Sequence, residues 1–185
     1  MIELELEASI EGIASPSMPA GFSLRSYQHS DDHLWLAIHS ATGVYDPVAP
    51  DLFETEFGGQ RDALAVRQIY VTEPGGCAVG TATGWFPGPA RDSRVGRVHW
   101  VAVIPEYQRR GLAGWLTGEV VRRLGQLGYA RAYLSTSALN RPAICLYLSL
   151  GFRPCVRSTQ ESDVWAKIRA ELPAALREAA RPVSA

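Results

Sequence analysis

The stretch Gln108-Arg109-Arg110-Gly111-Leu112-Ala113 decides how this chain is read. It follows an apolar, strand-like run, Arg97-Val98-His99-Trp100-Val101-Ala102-Val103-Ile104, and opens a helix-like run from Leu112 to Leu127. A strand, a basic glycine-containing turn and a helix start together make a place for an anion. The first N–H groups of a helix lack internal partners, and the dipole there is positive. Gly111 lets the backbone approach the anion, Ala113 keeps side-chain bulk away, and Arg109 and Arg110 add charge. The segment reads as a seat for a phosphate or pyrophosphate. It is not a Walker loop, which needs two spaced glycines followed by Lys and Ser/Thr, and Gly111-Leu112-Ala113-Gly114 does not supply G-x-G-x-x-G.

Further along comes Asn140-Arg141-Pro142-Ala143-Ile144-Cys145-Leu146-Tyr147-Leu148-Ser149-Leu150-Gly151-Phe152. Asn140 is a good helix N-cap, Pro142 suits a first turn and Gly151 is a good stop. Asn140, Ala143, Ile144 and Tyr147 are spaced to share one helix face. A small Ala between an amide and a phenol leaves room for a ligand beside that face.

The spacing Gln-x-x-Gly-x-Ala after a Val-rich strand, followed by Asn…Ala…Leu-Tyr…Leu-Gly-Phe, resembles the GNAT superfamily of acetyl-CoA-dependent N-acetyltransferases. The likeness covers residues 97–157. It implies an α/β fold with a mixed, mostly antiparallel central sheet and flanking helices. In that sheet the parallel strands four (94–104) and five (130–136) splay apart, and the pantetheine arm of acetyl-CoA, the co-substrate, enters the gap. The resemblance places the backbone of Val101, Ala102 and Val103 along that arm. It places the amides of Arg109, Arg110, Gly111, Leu112, Ala113 and Gly114 around the pyrophosphate, and Asn140 on the coenzyme or a bridging water.

Tyr147 would be the general acid that protonates the departing thiolate, in contact with the coenzyme. A protonated amine acceptor needs a base, and His99 titrates in the useful range. It matches a position at which some arylalkylamine acetyltransferases carry histidine. Ribosomal-protein-type members use a glutamate on strand five, where this chain has Ser135. Glu56, Glu161 and Asp163 are remoter candidates. Each residue also has a plain structural alternative: a satisfied histidine for His99, a helix cap for Asn140, a core aromatic for Tyr147. His29, His33 and His39 read as surface residues.

Length and composition set the frame. The 185 residues suit one domain, and 46% hydrophobic residues suffice for a core. A net charge of −1 argues against a general nucleic-acid binder. Cys77, Cys145 and Cys155 show neither a CxxC pair nor zinc spacing, so no metal is expected and they read as small buried residues. An acidic N-terminus without an apolar core and the lack of a long apolar run point to a cytoplasmic protein with no membrane partner.

Along the chain, residues 1–20 read as an N-terminal extension, partly disordered. Residues 21–172 form the N-acetyltransferase domain, and 173–185 a helical or frayed tail. Strands are expected at 21–27, 66–72, 77–85, 94–104, 130–136 and 152–156. Helices are expected from Ser30 through Ile38 and over 51–57, 112–127, 140–150 and 162–172. Leu112, Leu116, Val120, Leu124 and Leu127 form the apolar stripe of the long helix. Many members have a final strand where 162–172 reads as helix. Tyr45, Phe53, Phe57, Trp85 and Phe86 fall where an acceptor pocket is expected, which would favour a partly apolar amine.

The sequence therefore points to an acyltransferase acting on a small-molecule primary amine by direct attack, without a covalent intermediate. Two alternatives are a protein or peptide N-terminal acetyltransferase and a non-catalytic acyl-CoA sensor. The acceptor's identity, acyl-chain length and oligomeric state stay open, with a homodimer frequent in such families.

Overall fold

The computed structural model describes residues 2–43, 47–89 and 91–182. Among them, seven strands form one sheet: β1 (Glu3–Ser9), β2 (Ser23–Ser26), β3 (Gln68–Thr72), β4 (Ala78–Trp85), β5 (Val95–Val103), β6 (Arg131–Ser137) and β7 (Arg153–Cys155). Their order is β2-β3-β4-β5-β6-β1-β7. Only β5 and β6 pair in parallel; every other neighbouring pair is antiparallel. The helices are α1 (Asp32–Ala41), α2 (Leu52–Phe57), α3 (Leu64–Arg67), α4 (Leu112–Gln126), α5 (Arg141–Leu150), α6 (Thr159–Glu171) and α7 (Ala174–Arg177).

The helix–sheet alternation follows the sequence pattern, with one large correction. Residues 3–9, expected within an extension, form an internal strand between β6 and β7. The reason lies in period-two alternation. Leu4 and Leu6 are buried in the main core, whereas Glu5 and Glu7 lie on the opposite face, where both pair with Arg91. Glu7 also accepts from Arg131 at 2.8 Å. The chain then runs from Ile10, whose N–H donates to Ala130, past Ala14, whose N–H donates to Leu150.

Two cores sandwich the sheet. On one face α4 lays Leu112, Leu116, Val120 and Leu124 against β4 and β5, joined by Ile144, Phe152 and Trp165. Leu127, expected on that stripe, caps the helix and is 40% exposed. On the other face Trp35, Ile38, Phe53, Phe57 and Tyr70 pack together under α1 and α2. Burying each large side chain contributes about 1.5–3 kcal/mol.

The segment 162–172 lies in α6, a helix as expected, but α6 begins at Thr159 rather than 162. Ser158 Oγ accepts from Glu161 N–H, and Glu161 accepts from Arg157 N–H, which fixes the earlier start. Of the cysteines expected to be buried, Cys77 is exposed and the other two are half-buried. No helix among the described residues is long and apolar enough to cross a membrane.

Candidate active site

The parallel strands part company early. β5 and β6 pair at Val95↔Arg131, Gly96↔Ala132 and Arg97↔Tyr133, and the register stops there. Beyond it β5 continues only along β4, and β6 only along β1. A bulge in β5 sits at the parting. Thr81 pairs with Ala102 and Thr83 with His99, so Ala82 faces two residues, Trp100 and Val101. Trp100 takes φ 52°, a left-handed backbone that is costly for a bulky residue.

A cavity of about 360 Å³ fills the gap. Val101 and Ala102 line it from β5, Ser135 from β6, and Asn140 and Tyr147 from α5. On its other side stand His39 of α1, Glu56 of α2 and Glu3 of β1.

The turn before α4 lies outside the cavity lining, as does Val103, which is buried. Arg109 (φ 61°) and Gly111 (φ 82°) both adopt left-handed backbone. Gln108 Nε2 donates to the Val103 carbonyl at 2.9 Å, tying the turn to the end of β5. Gly111 occupies the N-cap of α4 without a side chain over the helix end, and Trp115 N–H is the donor to its carbonyl. The N–H groups of Leu112, Ala113 and Gly114 precede the first helical bond and carry the positive end of a 15-residue dipole. Arg109 and Arg110 are exposed; Arg110 stacks over the Tyr107 ring at 5.0 Å.

α5 delivers its residues as its spacing requires. Asn140 is the N-cap, its side-chain oxygen accepting from Ala143 N–H at 3.2 Å. Gly151, at φ 109°, ends the helix. Tyr147 is 9% exposed, with its ring edge-on to Phe152. Ile144, grouped with these by spacing, faces the core instead and is fully buried.

His99 is 9% exposed, and its Nε2 lies 2.9 Å from Glu56 Oε2. Trp100 Nε1 donates to the same oxygen at 3.0 Å. The bond from His99 holds the Glu56 carboxyl below its ordinary range, with Trp100 and Arg97 adding to the effect. Burial lowers the His99 imidazole, partly offset by the Glu56 carboxylate. The pair therefore rests as carboxylate and neutral imidazole, with His99 Nε2–H donating. His39, expected at the surface, is 2% exposed, and burial pushes it down to about 3. Its ring sits 4.2 Å from Trp35 and 5.0 Å from Trp100, and its Nε2 is buried without a hydrogen-bond partner among the described residues.

Glu56, a remote candidate by sequence, thus joins His99, whereas Glu161 caps α6 and, like Asp163, does not line the cavity. Ser135 lines it from β6, with no carboxylate at that position. The expected aromatic box is mainly core: Phe53 and Phe57 are buried in the second cluster, and Trp85 and Phe86 do not line the cavity. Tyr45 lies outside the described residues. Sequence reasoning missed His39, Trp100, Arg97 and Glu3. Only His39 carried a signal, since Trp35, Ile38 and His39 share one helix face.

The acetyltransferase (GNAT) family model matches residues 30–152. The mycothiol acetyltransferase of Pseudarthrobacter chlorophenolicus is 30% identical over 141 residues, covering 74% of this chain and 44% of the relative. The chain spans about half the length of the curated relatives it matches. Among solved structures, a GCN5-related N-acetyltransferase from Sphaerobacter thermophilus superposes with a TM-score of 0.68 at 22% identity, covering 83% of this chain and 48% of that one. An aminoglycoside N-acetyltransferase in complex with CoA gives a TM-score of 0.60 at 19% identity, over 78% of this chain and 95% of that one. The split sheet, the glycine-capped helix and the matched sequence agree, and the chain belongs to the acetyltransferase (GNAT) family.

Proposed function

We propose that the protein transfers an acetyl group from acetyl-CoA to a primary amine of a small molecule, by direct attack within the cavity between β5 and β6. The observation that carries this reading is the convergence, on one cavity, of a polar pair able to take a proton and a phenol able to give one. His99 with Glu56 stands on one side and Tyr147 on another. The gap beside Val101, Ala102 and Val103 suits the pantetheine arm, and the bare N-terminus of α4 from Arg109 to Gly114 suits the pyrophosphate. Asn140 keeps its capping bond and still lines the cavity, where its amide NH2 can donate to the coenzyme or a water.

In the reaction the amine surrenders a proton toward the His99–Glu56 pair, directly or through water. Its lone pair then forms the C–N bond to the thioester carbon. The C–S bond breaks, and the thiolate takes the Tyr147 proton. Neutral His99 is able to accept at Nδ1 while Nε2–H stays bonded to Glu56, so the carboxylate stabilises the imidazolium as it forms. No enzyme nucleophile is required. Cys145 and Cys155 do not line the cavity.

Direct attack is tested by intact-protein mass measurement during turnover with acetyl-CoA. The expected result is unmodified protein and acetyl-bearing amine. A protein-bound acetyl group that chases into product would overturn direct attack.

A further inference from the structure

The cavity holds one cation that the reaction above leaves unused. Arg97 lies at the last paired position of β5 and lines the cavity with His99 and Glu56. Among the described residues its Nε is buried without a hydrogen-bond partner, and its guanidinium lies 6.0 Å from the Tyr133 ring. Other half-buried arginines have evident partners: Arg25 of β2 pairs with Asp31, Arg91 with Glu5 and Glu7, and Arg153 of β7 donates to the Phe152 carbonyl. Arg97 forms no ion pair among the described residues. A half-buried guanidinium costs free energy until its planar donors meet an anion, and a carboxylate fits that fork.

Opposite charge stands close by. Both recorded bonds to Glu56 end on Oε2, leaving Oε1 for a further donor. Arg97 helps keep Glu56 ionised, which places the two within electrostatic reach. Glu3 adds a second carboxylate at the rim, while His39 and His99 rest neutral. The cavity lining thus holds a guanidinium and a carboxylate within electrostatic reach of each other.

Resting on the reading of this cavity as the acceptor site, we infer that the acceptor is a small zwitterion, an amine that also carries a carboxylate. Arg97 receives the carboxylate, and the Glu56–His99 pair receives the ammonium. The aromatic residues expected to select an apolar amine are mostly in the core, which leaves recognition to these charges.

The test compares each of a set of amino acids with its decarboxylated amine, phenylalanine against phenethylamine for example, by kcat/KM and by calorimetric binding to the acetyl-CoA-loaded protein. The wild type is expected to favour the carboxylate-bearing partner by roughly 10- to 100-fold. Arg97→Gln should erase that ratio, and Arg97→Lys should restore part of it, with acetyl-CoA binding serving as the check on folding. Equal or better use of the decarboxylated amines, or an unchanged ratio in Arg97→Gln, overturns the inference. Zwitterion binding without turnover would instead uphold it and sink the transfer reaction.

Discussion

His99 Nε2 and Glu56 Oε2 meet at 2.9 Å, joining the bulge of β5 to a helix that precedes it by 43 residues. The contact fixes the imidazole's orientation and gives its positive form a counter-charge. Glu56→Gln should therefore lower kcat by about 100-fold while leaving the acetyl-CoA KM nearly unchanged. A kcat within a few-fold of wild type would remove the pair from proton transfer.

The pH profile follows from the same pair. Burial puts the His99 imidazole below its ordinary 6.5, so the acid limb of kcat/KM should fall below that pH. Since Glu56 opposes this lowering, Glu56→Gln should move the limb to still lower pH. A shift upward would contradict the assigned partnership.

Tyr147→Phe should reduce kcat by about 100-fold and leave acetyl-CoA affinity close to wild type. Activated thioesters with better leaving groups should recover part of the loss. Unchanged turnover would show that the thiolate finds its proton elsewhere.

Gly111 holds φ 82° at the N-cap of α4. Gly111→Ala should raise the acetyl-CoA KM by about tenfold, because an L side chain strains that backbone and crowds the helix end. The expected signature is a change in KM rather than in kcat.

Stability should fall in acid. The folded-state pKa values of His39 and His99 lie below 6.5, His39 at about 3. Below pH 6.5 the unfolded chain therefore binds more protons than the folded one. For His39, stability present above that pH is lost toward pH 3 by about 1.4 kcal/mol per pH unit, and the lowered His99 adds to the loss just below pH 6.5. His39→Phe, which keeps a ring between Trp35 and Trp100, should flatten the slope in urea titrations.

The strand at the N-terminus has its own test. Leu6 is fully buried in the main core, so Leu6→Ala should cost about 2–5 kcal/mol. A loss under 1 kcal/mol would mean that β1 adds little to the sheet.

Much of this was legible in local pattern. Gly111 and Asn140 start helices and Gly151 ends one because backbone freedom and capping chemistry are local properties. The Glu-Leu alternation of residues 3–7 is equally local, and it signals a strand, yet its place between β6 and β7 depends on partners over a hundred residues away. Ser158-Thr159-Gln160-Glu161 likewise carried the start of α6 as a capping box. The acceptor wall was less legible. Glu56 reaches His99 only because α2 folds over the β5 bulge, and no spacing along the chain encodes that approach. Phe53 and Phe57 illustrate the converse: an aromatic cluster near an expected pocket served the core.

The most direct measurement is release of coenzyme A thiol from acetyl-CoA across a panel of amines, including amino acids, arylalkylamines, polyamines, aminoglycosides, short peptides and mycothiol-type amines. Amine-dependent release by the wild type, with acetylated amine as product and loss of rate in both Tyr147→Phe and Glu56→Gln, is the expected result. Tight acetyl-CoA binding with no amine-dependent release from any member would contradict transfer and leave an acyl-CoA sensor.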